Sequence, residues 1–286
     1  MRVVVGIIAS KSDAYSSFKD MYVRTLANAP LTFEFVFIYG HDEQGKQDTG
    51  VYTHKVGDTV YTDMYTDHKE TLGNAVRKTV DFLQYVNSLD PVPDYILRTN
   101  LSTLFDFPAL EKWLARIPMG VPILAGSIIN EFKGVYTGVS GTNLVMNPVV
   151  TRFIVDNREK LTYSLNEDVD LSRLVLRYCP GVYSINIGRL DFIDDSALYH
   201  KCTPESGVFC FRFKTTDRYS DISLMERLAV SRDIPRSIID HGRPVFVMYN
   251  TCLHKLSTGL YRWSGADSTW GESRPTTPSV RAENGY

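Results

Sequence analysis

The stretch from residue 93 to residue 105 constrains the fold of this chain more than any other. An apolar run, Tyr95-Ile96-Leu97, ends abruptly at Arg98-Thr99-Asn100, and polar and apolar residues then alternate as far as Phe105. This pattern predicts a buried strand whose C-terminal end carries polar side chains into a cleft. Ligands of open α/β sheets bind at the carboxyl ends of the strands. We therefore expect a binding site beside this stretch.

Strand-type and helix-type patterns alternate through the first 117 residues. Continuous apolar runs at residues 3–8 and 33–39 are typical of buried parallel strands, and residues 69–86 keep apolar side chains at helical spacing. This order predicts an α/β fold with a central, mostly parallel sheet flanked by helices. Further helices are predicted at residues 13–26, 107–117, 148–157, 167–178 and 219–231, further strands at 60–65, 121–129, 133–136, 140–146, 182–187, 208–213 and 245–249, and a loop at 42–53.

Length, composition and charge limit the possible functions. The chain has 286 residues, of which 43% are hydrophobic and 22% are charged, and its formal net charge is -2. We expect one domain over residues 1–263 and a flexible tail at 264–286, where Gly, Ser, Pro and Thr accumulate. The charge offers no reason to expect nucleic acid as a partner. No GxGxxG, GxxxxGK[ST], GxSxG or HExxH motif is present, which argues against the commonest dehydrogenases, ATPases, hydrolases and zinc proteases.

The cysteines and the N-terminus predict an intracellular protein. The four cysteines, Cys179, Cys202, Cys210 and Cys252, form no CxxC pair, so we expect free buried thiols rather than a zinc site. The apolar run at the N-terminus is about half the length of a membrane span. A strand that begins at residue 3 leaves no room for a signal peptide. We therefore expect no membrane span and a cytoplasmic location.

Several short segments occur in a recognisable order. They are Arg24-Thr25-Leu26, a strand ending in Tyr39-Gly40, residues 70–79 with Asn74 and Lys78-Thr79, residues 136–146 with Ser140-Gly141-Thr142-Asn143, and Asn166-Glu167-Asp168-Val169. This order resembles glycosyltransferase family 31, the inverting β-1,3-glycosyltransferases (galactosyltransferase and fringe types) with the GT-A fold. The resemblance spans roughly residues 1–228. Leu26 replaces the Trp of the family's Arg-x-Thr-Trp motif.

The resemblance implies a nucleotide-binding half at residues 1–117 and an acceptor-binding half at 118–263. It implies transfer of a sugar from a nucleotide-sugar, most simply a UDP-sugar, to a glycan hydroxyl with inversion. Asp168 would act as the general base, with Asp170 as the alternative. Donor contacts would come from Ala9, Ser10, Arg24, Asn74, Lys78, Arg98, Asn100, Ser102, Arg212 and Lys214, and acceptor contacts from Ser140, Gly141 and Asn143.

The chain departs from the family at the predicted metal site. Asn100-Leu101-Ser102 stands where the family has its Asp-x-Asp, whose two carboxylates hold Mn²⁺ or Mg²⁺. Asn and Ser offer only neutral oxygens, so we expect at most a weak metal site at Asn100 and Ser102. The late strand in which family members often carry a His ligand reads Phe211-Arg212-Phe213-Lys214 here. Arg212, Lys214 or Arg218 would then stabilise the diphosphate directly.

Other interpretations stay open at this stage. A catalytically silent sugar- or nucleotide-binding protein would explain the missing carboxylates at 100 and 102. A nucleotidyltransferase would need a Gly-rich loop after the first strand, which Ala9-Ser10-Lys11-Ser12 does not supply. Asp168 can equally serve only to favour a helix N-terminus, and Ser10, Asn74 and Lys78 can be ordinary loop or helix-surface residues. Golgi members of the family carry a membrane anchor, so its absence would suit a bacterial or large-virus enzyme.

Overall fold

The computed structural model describes residues 1–11, 13–26, 29–41, 50–56, 59–69, 74–129, 138–163, 167–192, 209–215, 217–231, 253–255 and 261–263. The strands predicted at 133–136 and 245–249, the tail at 264–286, Cys202 and Cys252 lie outside these residues.

Strands and helices alternate along the described chain. The elements are β1 (Val3–Ile8), α1 (Asp13–Leu26), β2 (Phe33–His41), β3 (Gly50–Val56), β4 (Thr59–Lys69), α2 (Ala75–Asn87), β5 (Tyr95–Asn100), β6 (Thr103–Phe105), α3 (Phe107–Leu114), β7 (Ile123–Gly126), β8 (Ile128–Ile129), β9 (Gly138–Val139), β10 (Leu144–Met146), α4 (Pro148–Asp156), α5 (Glu167–Tyr178), β11 (Tyr183–Asn186), β12 (Leu190–Phe192), β13 (Cys210–Phe213), α6 (Arg218–Ser231), β14 (Leu253–Lys255) and β15 (Tyr261–Trp263). A 3₁₀ helix at Arg158–Lys160 follows α4.

A ten-stranded sheet forms the centre of the fold, in the order β14-β15-β11-β7-β10-β5-β1-β2-β4-β3. The strands β4, β2, β1, β5, β7, β11 and β14 run in one direction, and β3, β10 and β15 run against them. The predicted α/β class with a mostly parallel sheet flanked by helices is therefore confirmed.

Two apolar cores lie on the two faces of this sheet, because side chains alternate between faces along a strand. On one face, Val3, Val5 and Ile7 of β1 pack with the apolar sides of α1, α3 and α6. On the other face, Val4 belongs to the core formed by α2, α4 and α5. Helices thus cover both faces of the central strands, which explains the continuous apolar runs in their sequences.

Element boundaries differ from the predictions where side chains are solvent-exposed or polar. Residues 50–53, predicted as loop, belong to the edge strand β3, whose residues 51–55 are exposed. Hydrogen bonds to β4 rather than burial define this strand, so its sequence lacks the usual alternation. Lys69 belongs to β4 and not to the helix predicted at 69–86, since α2 begins at Ala75. Residues 140–143 form a turn before β10, and the strand predicted at 121–129 divides into β7 and β8.

A small second sheet connects the chain's two halves at the carboxyl end of β5. Its order is β12-β13-β6, and only residues 101 and 102 separate β6 from β5. Antiparallel pairing of β13 with β6 places Arg212 opposite Thr103, and parallel pairing with β12 places Asp191 opposite Arg212. Residues distant in sequence therefore meet immediately above the central strand.

Two predictions from composition are tested by the described residues. Cys179 and Cys210 are free and buried, as predicted. Burial raises the pKa of the Cys179 thiol to about 11 and raises the pKa of the Cys210 thiol further, so neither is a thiolate at neutral pH. In the part of the chain that the structure describes, no helix has the length and apolar character needed to cross a bilayer.

We predict that Gly6→Ala destabilises the fold, because Gly6 of β1 lies directly under a buried ring of α2. A Cβ at position 6 would lie 2.4 Å from Cε1 of Phe82. Overpacking of this kind costs about 1–3 kcal/mol in the free energy of unfolding, measurable by urea titration. The smaller side chain in Phe82→Leu should relieve the contact, so the double variant should lose less stability than the sum of the two single variants. Additive losses would contradict this explanation.

Candidate functional site

The candidate site lies at the carboxyl ends of β1 and β5, two adjacent strands near the middle of the ten-stranded sheet. These strands pair in parallel with Ile8 opposite Asn100, so Ala9 and Ser10 follow β1 directly beside Asn100. Ala9 is buried and its backbone N–H donates to the carbonyl of Ile38 at 2.9 Å. The structure therefore brings together the loop after β1 and the stretch with which the sequence analysis began.

The side chain of Asn100 organises the turn after β5. Its Oδ1 accepts hydrogen bonds from the hydroxyls of Ser102 and Thr103, both at 3.0 Å. The oxygen that would have to face a cation is thus already engaged by two donors, and no carboxylate replaces it. Among the described residues, no group of three or more His, Cys, Asp and Glu side chains is arranged to hold a metal ion. This donor set does not fit a divalent cation, which requires several free oxygen ligands.

Arg212 of β13 lies opposite Thr103, next to the same turn. The backbone N–H of Phe213 donates to the carbonyl of Ser102 at 2.8 Å and fixes β13 against the turn. The Nε of Arg212 is buried and makes no hydrogen bond to the described residues. Burial and the neighbouring Arg189 both lower the pKa of Arg212. Arg212 is therefore a partly desolvated cation whose ion pair with Asp191 is long, at 3.9 Å.

The other two basic residues predicted near this strand are placed differently from Arg212. Lys214 is exposed, one residue beyond β13. Arg218 begins α6 and its Nη1 donates to the carboxylate of Asp221 at 2.9 Å. Of these three residues, Arg212 therefore offers the best placed positive charge.

Arg189 is a further basic residue of the site, beside Arg212. The sequence analysis did not predict it as a site residue. Its Nη1 donates to Ser140 Oγ at 2.6 Å and to Thr142 Oγ1 at 2.7 Å. Its Nε and Nη2 contact the two carboxylate oxygens of Asp191, the second at 2.8 Å. The only sequence signal was Gly188-Arg189 directly after a predicted strand, and such a pair is too common to be specific.

The turn at residues 140–143 carries two predicted acceptor contacts, Ser140 and Asn143, whose side chains are buried. Ser140 and Asn143 are 2% and 0% exposed. Asn143 accepts from the backbone N–H of Ser127 and donates to its hydroxyl. Because both side chains are buried and satisfied internally, they cannot contact an acceptor as predicted. We revise their role to shaping the wall of the site.

Arg98 and Glu167 form a buried ion pair beneath this turn. Their side chains are 6% and 7% exposed. The guanidinium of Arg98 donates to Glu167 and to the carbonyl of Gly141, and the hydroxyl of Thr79 donates to the second carboxylate oxygen of Glu167. Burial lowers the pKa of Arg98 to about 10, so it remains charged at neutral pH. Arg98 therefore holds Gly141 and Glu167 in the protein interior. This role replaces the prediction that Arg98 contacts the nucleotide-sugar.

Asp168 is the half-buried carboxylate of the site. Its Oδ2 accepts the backbone N–H of Gly141 at 3.2 Å, and its Oδ1 accepts that of Val169 at 2.9 Å. Its negative charge partly offsets the lowering of the pKa of Arg98 and of Arg212 that burial causes. Asp168 is thus held against the turn at residues 140–143 by the backbone of Gly141.

Asp170, the alternative base, has a different environment. It is 3% exposed, and its carboxylate accepts hydrogen bonds from the backbone N–H and hydroxyl of Thr162 and from the backbone N–H of Tyr163. Tyr163 adopts a φ of 53°, a left-handed conformation that this carboxylate holds in place. Asp170 therefore supports a turn, and Asp168 is the stronger candidate for chemistry.

The helix residues predicted as donor contacts divide into two groups. Asn74 and Lys78 lie at the start of α2, near Thr79 and the ion pair, although Lys78 is buried rather than solvated. Arg24 lies in the last turn of α1, about 16 Å along the helix from its start at the site edge. Its guanidinium pairs with Glu226 of α6 at 2.8 Å. The structure does not bring Arg24 to the site, which revises that prediction.

Three tyrosines and a lysine lie beside the loop after β1. The rings of Tyr39 and Tyr65 stack with centroids 5.1 Å apart, and Tyr52 packs edge-on against Tyr65 at 5.9 Å. The Nζ of Lys11 lies 4.7 Å from the centroid of Tyr65. Tyr52 is 49% exposed. Within this tyrosine group, Tyr52 therefore gives the outer end of the site an exposed aromatic ring that the sequence did not predict.

Comparisons with known proteins find glycosyltransferases. No family model and no curated protein matches this chain. It is similar to the crystal structure of a glycosyltransferase involved in the glycosylation of the major capsid of PBCV-1, with a TM-score of 0.47 and 9% identity over 79% of this chain and 99% of that chain. It is also similar to the glycosyltransferase GlyE of Streptococcus pneumoniae TIGR4, with a TM-score of 0.39 and 12% identity over 64% of this chain and 45% of that chain. Similarity at this level identifies neither a substrate nor a site residue.

Proposed function

We propose that this protein is a glycosyltransferase of the GT-A type that moves a sugar from a nucleotide-sugar to a glycan hydroxyl with inversion. The observation that carries the proposal is that the turn at residues 140–143 connects a carboxylate with a loosely paired cation: Asp168 accepts the N–H of Gly141, and Arg189 joins the same turn to Asp191, which Arg212 contacts at 3.9 Å. Such a transfer needs a base for the acceptor hydroxyl and positive charge for the departing diphosphate.

In the proposed reaction, Asp168 takes the proton of the acceptor hydroxyl while that oxygen attacks the anomeric carbon. The bond between this carbon and the diphosphate oxygen breaks, and the diphosphate leaves with the electron pair. Arg212, with Lys214 nearby, stabilises the negative charge on the leaving group. A single displacement of this kind inverts the configuration at the anomeric carbon. The backbone N–H of Gly141 holds the carboxylate of Asp168 during proton transfer.

We place the nucleoside of the donor, most simply uridine, near Ala9 and Ser10. Bases stack on aromatic rings, and Tyr52, the exposed member of the tyrosine group beside this loop, offers one, with Lys11 close to the neighbouring Tyr65. Asn100 and Ser102 would then face the ribose or the phosphates through hydrogen bonds. The resemblance to family 31 supports this orientation of the donor across the ends of β1 and β5.

A second function is favoured by the same turn. The neutral side chains of Asn100 and Ser102 would also suit a nucleotide- or sugar-binding protein without activity. Thermal-shift measurements with UDP, combined with an assay for hydrolysis of UDP-sugars, separate the two functions. Stabilisation by UDP together with donor hydrolysis supports the enzyme, whereas binding without any turnover supports the silent protein.

Replacing Asp168 by Asn should remove nearly all sugar transfer while leaving nucleotide binding intact. Asn keeps an oxygen that can accept the Gly141 N–H but cannot take a proton, so we expect turnover to fall about 10²- to 10⁴-fold. UDP affinity measured by calorimetry should not change. Asp156→Asn, an exposed carboxylate on α4, is the matched control. Unchanged turnover in Asp168→Asn would remove this residue from the role of base.

Chelation of divalent cations should leave most of the activity in place. The donor set at Asn100 and Ser102 offers no carboxylate, so the proposed leaving-group charge is balanced by Arg212 instead. We expect comparable transfer rates in EDTA and in Mn²⁺. Complete loss of turnover in EDTA, restored by Mn²⁺, would show that a metal ion is required.

Arg212→Gln should weaken binding of the diphosphate and not of the nucleoside. A hydrogen bond to a charged group contributes about 1.5–3 kcal/mol, which corresponds to an increase of about 10- to 100-fold in the Kd for UDP. Uridine alone should bind equally to the wild type and the variant. Arg116→Gln, an exposed arginine after α3, controls for the change of net charge. Equal weakening of UDP and uridine would contradict a phosphate contact.

A further inference from the structure

Glu167 and Asp168 are consecutive in the first turn of α5 but lie in opposite environments. Glu167 is buried, and both of its carboxylate oxygens accept hydrogen bonds, one from Thr79 and one from Arg98. Asp168 is half-buried and contacts only backbone N–H groups among the described residues. The first carboxylate thus has an internal partner, and the second is available at the site.

A closed ring of contacts joins these two carboxylates through Gly141. Glu167 binds the guanidinium of Arg98, which donates to the carbonyl of Gly141. The backbone N–H of the same glycine donates to Oδ2 of Asp168 at 3.2 Å. The peptide bond between Glu167 and Asp168 closes this ring. Gly141 therefore supplies one of the two backbone hydrogen bonds that hold the Asp168 carboxylate, and Val169 supplies the other.

Close packing around Gly141 shows how tightly this ring is built. A Cβ at position 141 would lie 2.8 Å from Nη1 of Arg98 and 3.4 Å from Cβ of Asp168. Any side chain there would push the guanidinium away from the glycine carbonyl. Glycine is thus required by the approach of Arg98 and Asp168 from two sides, and not by the backbone conformation.

Stability alone does not account for the ion pair. A buried ion pair pays a desolvation cost that an apolar pair of similar volume avoids, so such replacements are often neutral or stabilising. The Nε of Arg98 is also buried and makes no hydrogen bond to the described residues, which adds to this cost. A role in fixing geometry explains the arrangement better than a role in stability.

We propose that the Arg98–Glu167 ion pair positions the carboxylate of Asp168 by holding Gly141 in place. The inference rests on the proposed function, in which Asp168 is the base, and assigns Arg98 and Glu167 as positioning residues. They touch no reacting atom. Misplacing a reacting group by about 1 Å costs about 10²-fold in rate, so their removal should affect turnover far more than donor binding.

The test uses the double variant Arg98→Met/Glu167→Leu, which removes both charges and keeps the volume. In the wild type, the amide NMR signal of Gly141 should shift with pH as Asp168 ionises, and Asp168→Asn should abolish this shift. The double variant should lose most of the pH-dependent shift, because the amide no longer contacts the carboxylate. With a UDP-sugar donor, kcat should fall about 10²-fold while the KM for the donor changes little.

Two further variants keep the test decisive. If the double variant does not fold, Gly141→Ala displaces the guanidinium without changing any charge and should give the same kcat and KM pattern. Arg2→Met/Glu34→Leu removes a partly exposed ion pair at the opposite end of β1 and should leave the Gly141 signal and kcat unchanged. An unaltered pH-dependent shift and kcat in a folded variant would overturn the proposal, whatever its stability. Loss of the shift in a protein whose wild type turns over no UDP-sugar would support the positioning and contradict the proposed function.

Discussion

The buried ion pair between Arg98 and Glu167 is the interaction on which the candidate site depends. It joins the central strand β5 to the start of α5, and Thr79 brings α2 into the same network. Desolvation of the two charges is offset by their mutual attraction and by the hydrogen bonds to Thr79 and Gly141. The ion pair thereby fixes three parts of the site relative to one another. These parts are the start of α5 with Asp168, the turn at residues 140–143, and the carboxyl end of β5.

The fold was largely predictable from the sequence because burial leaves a periodic pattern. The apolar runs of β1 and β5 and the helical spacing in α5 gave the correct elements, and the helix predicted at 167–178 has the observed bounds. The pattern fails where hydrogen bonding rather than burial defines an element. The edge strand β3 is the clearest case, since its side chains are exposed on both faces and its sequence reads as a loop.

Much less of the site was predictable, because a polar residue that binds a ligand and one that satisfies the protein interior look alike in sequence. Asn143 and Asp170 were predicted as site residues, yet their hydrogen-bonding groups are used by Ser127 and by residues 162–163. Arg189 was not predicted, since its partners Ser140 and Thr142 lie 49 and 47 residues away along the chain. Only the register of the small sheet brings Arg212 to the turn after β5.

The balance of charge at the site supports a particular division of roles. Among the described residues, three arginines and three carboxylates meet there, and two pairs are matched closely: Arg98 with Glu167, and Arg189 with both oxygens of Asp191. Arg212 contacts Asp191 only at 3.9 Å, and Asp168 accepts only backbone hydrogen bonds among the described residues. Arg212 and Asp168 thus have the weakest contacts to other side chains of the site. They are the cation and the carboxylate that the proposed single displacement needs. In the proposed reaction, Arg212 would balance the charge of the leaving diphosphate, which would account for the neutral residues at 100 and 102.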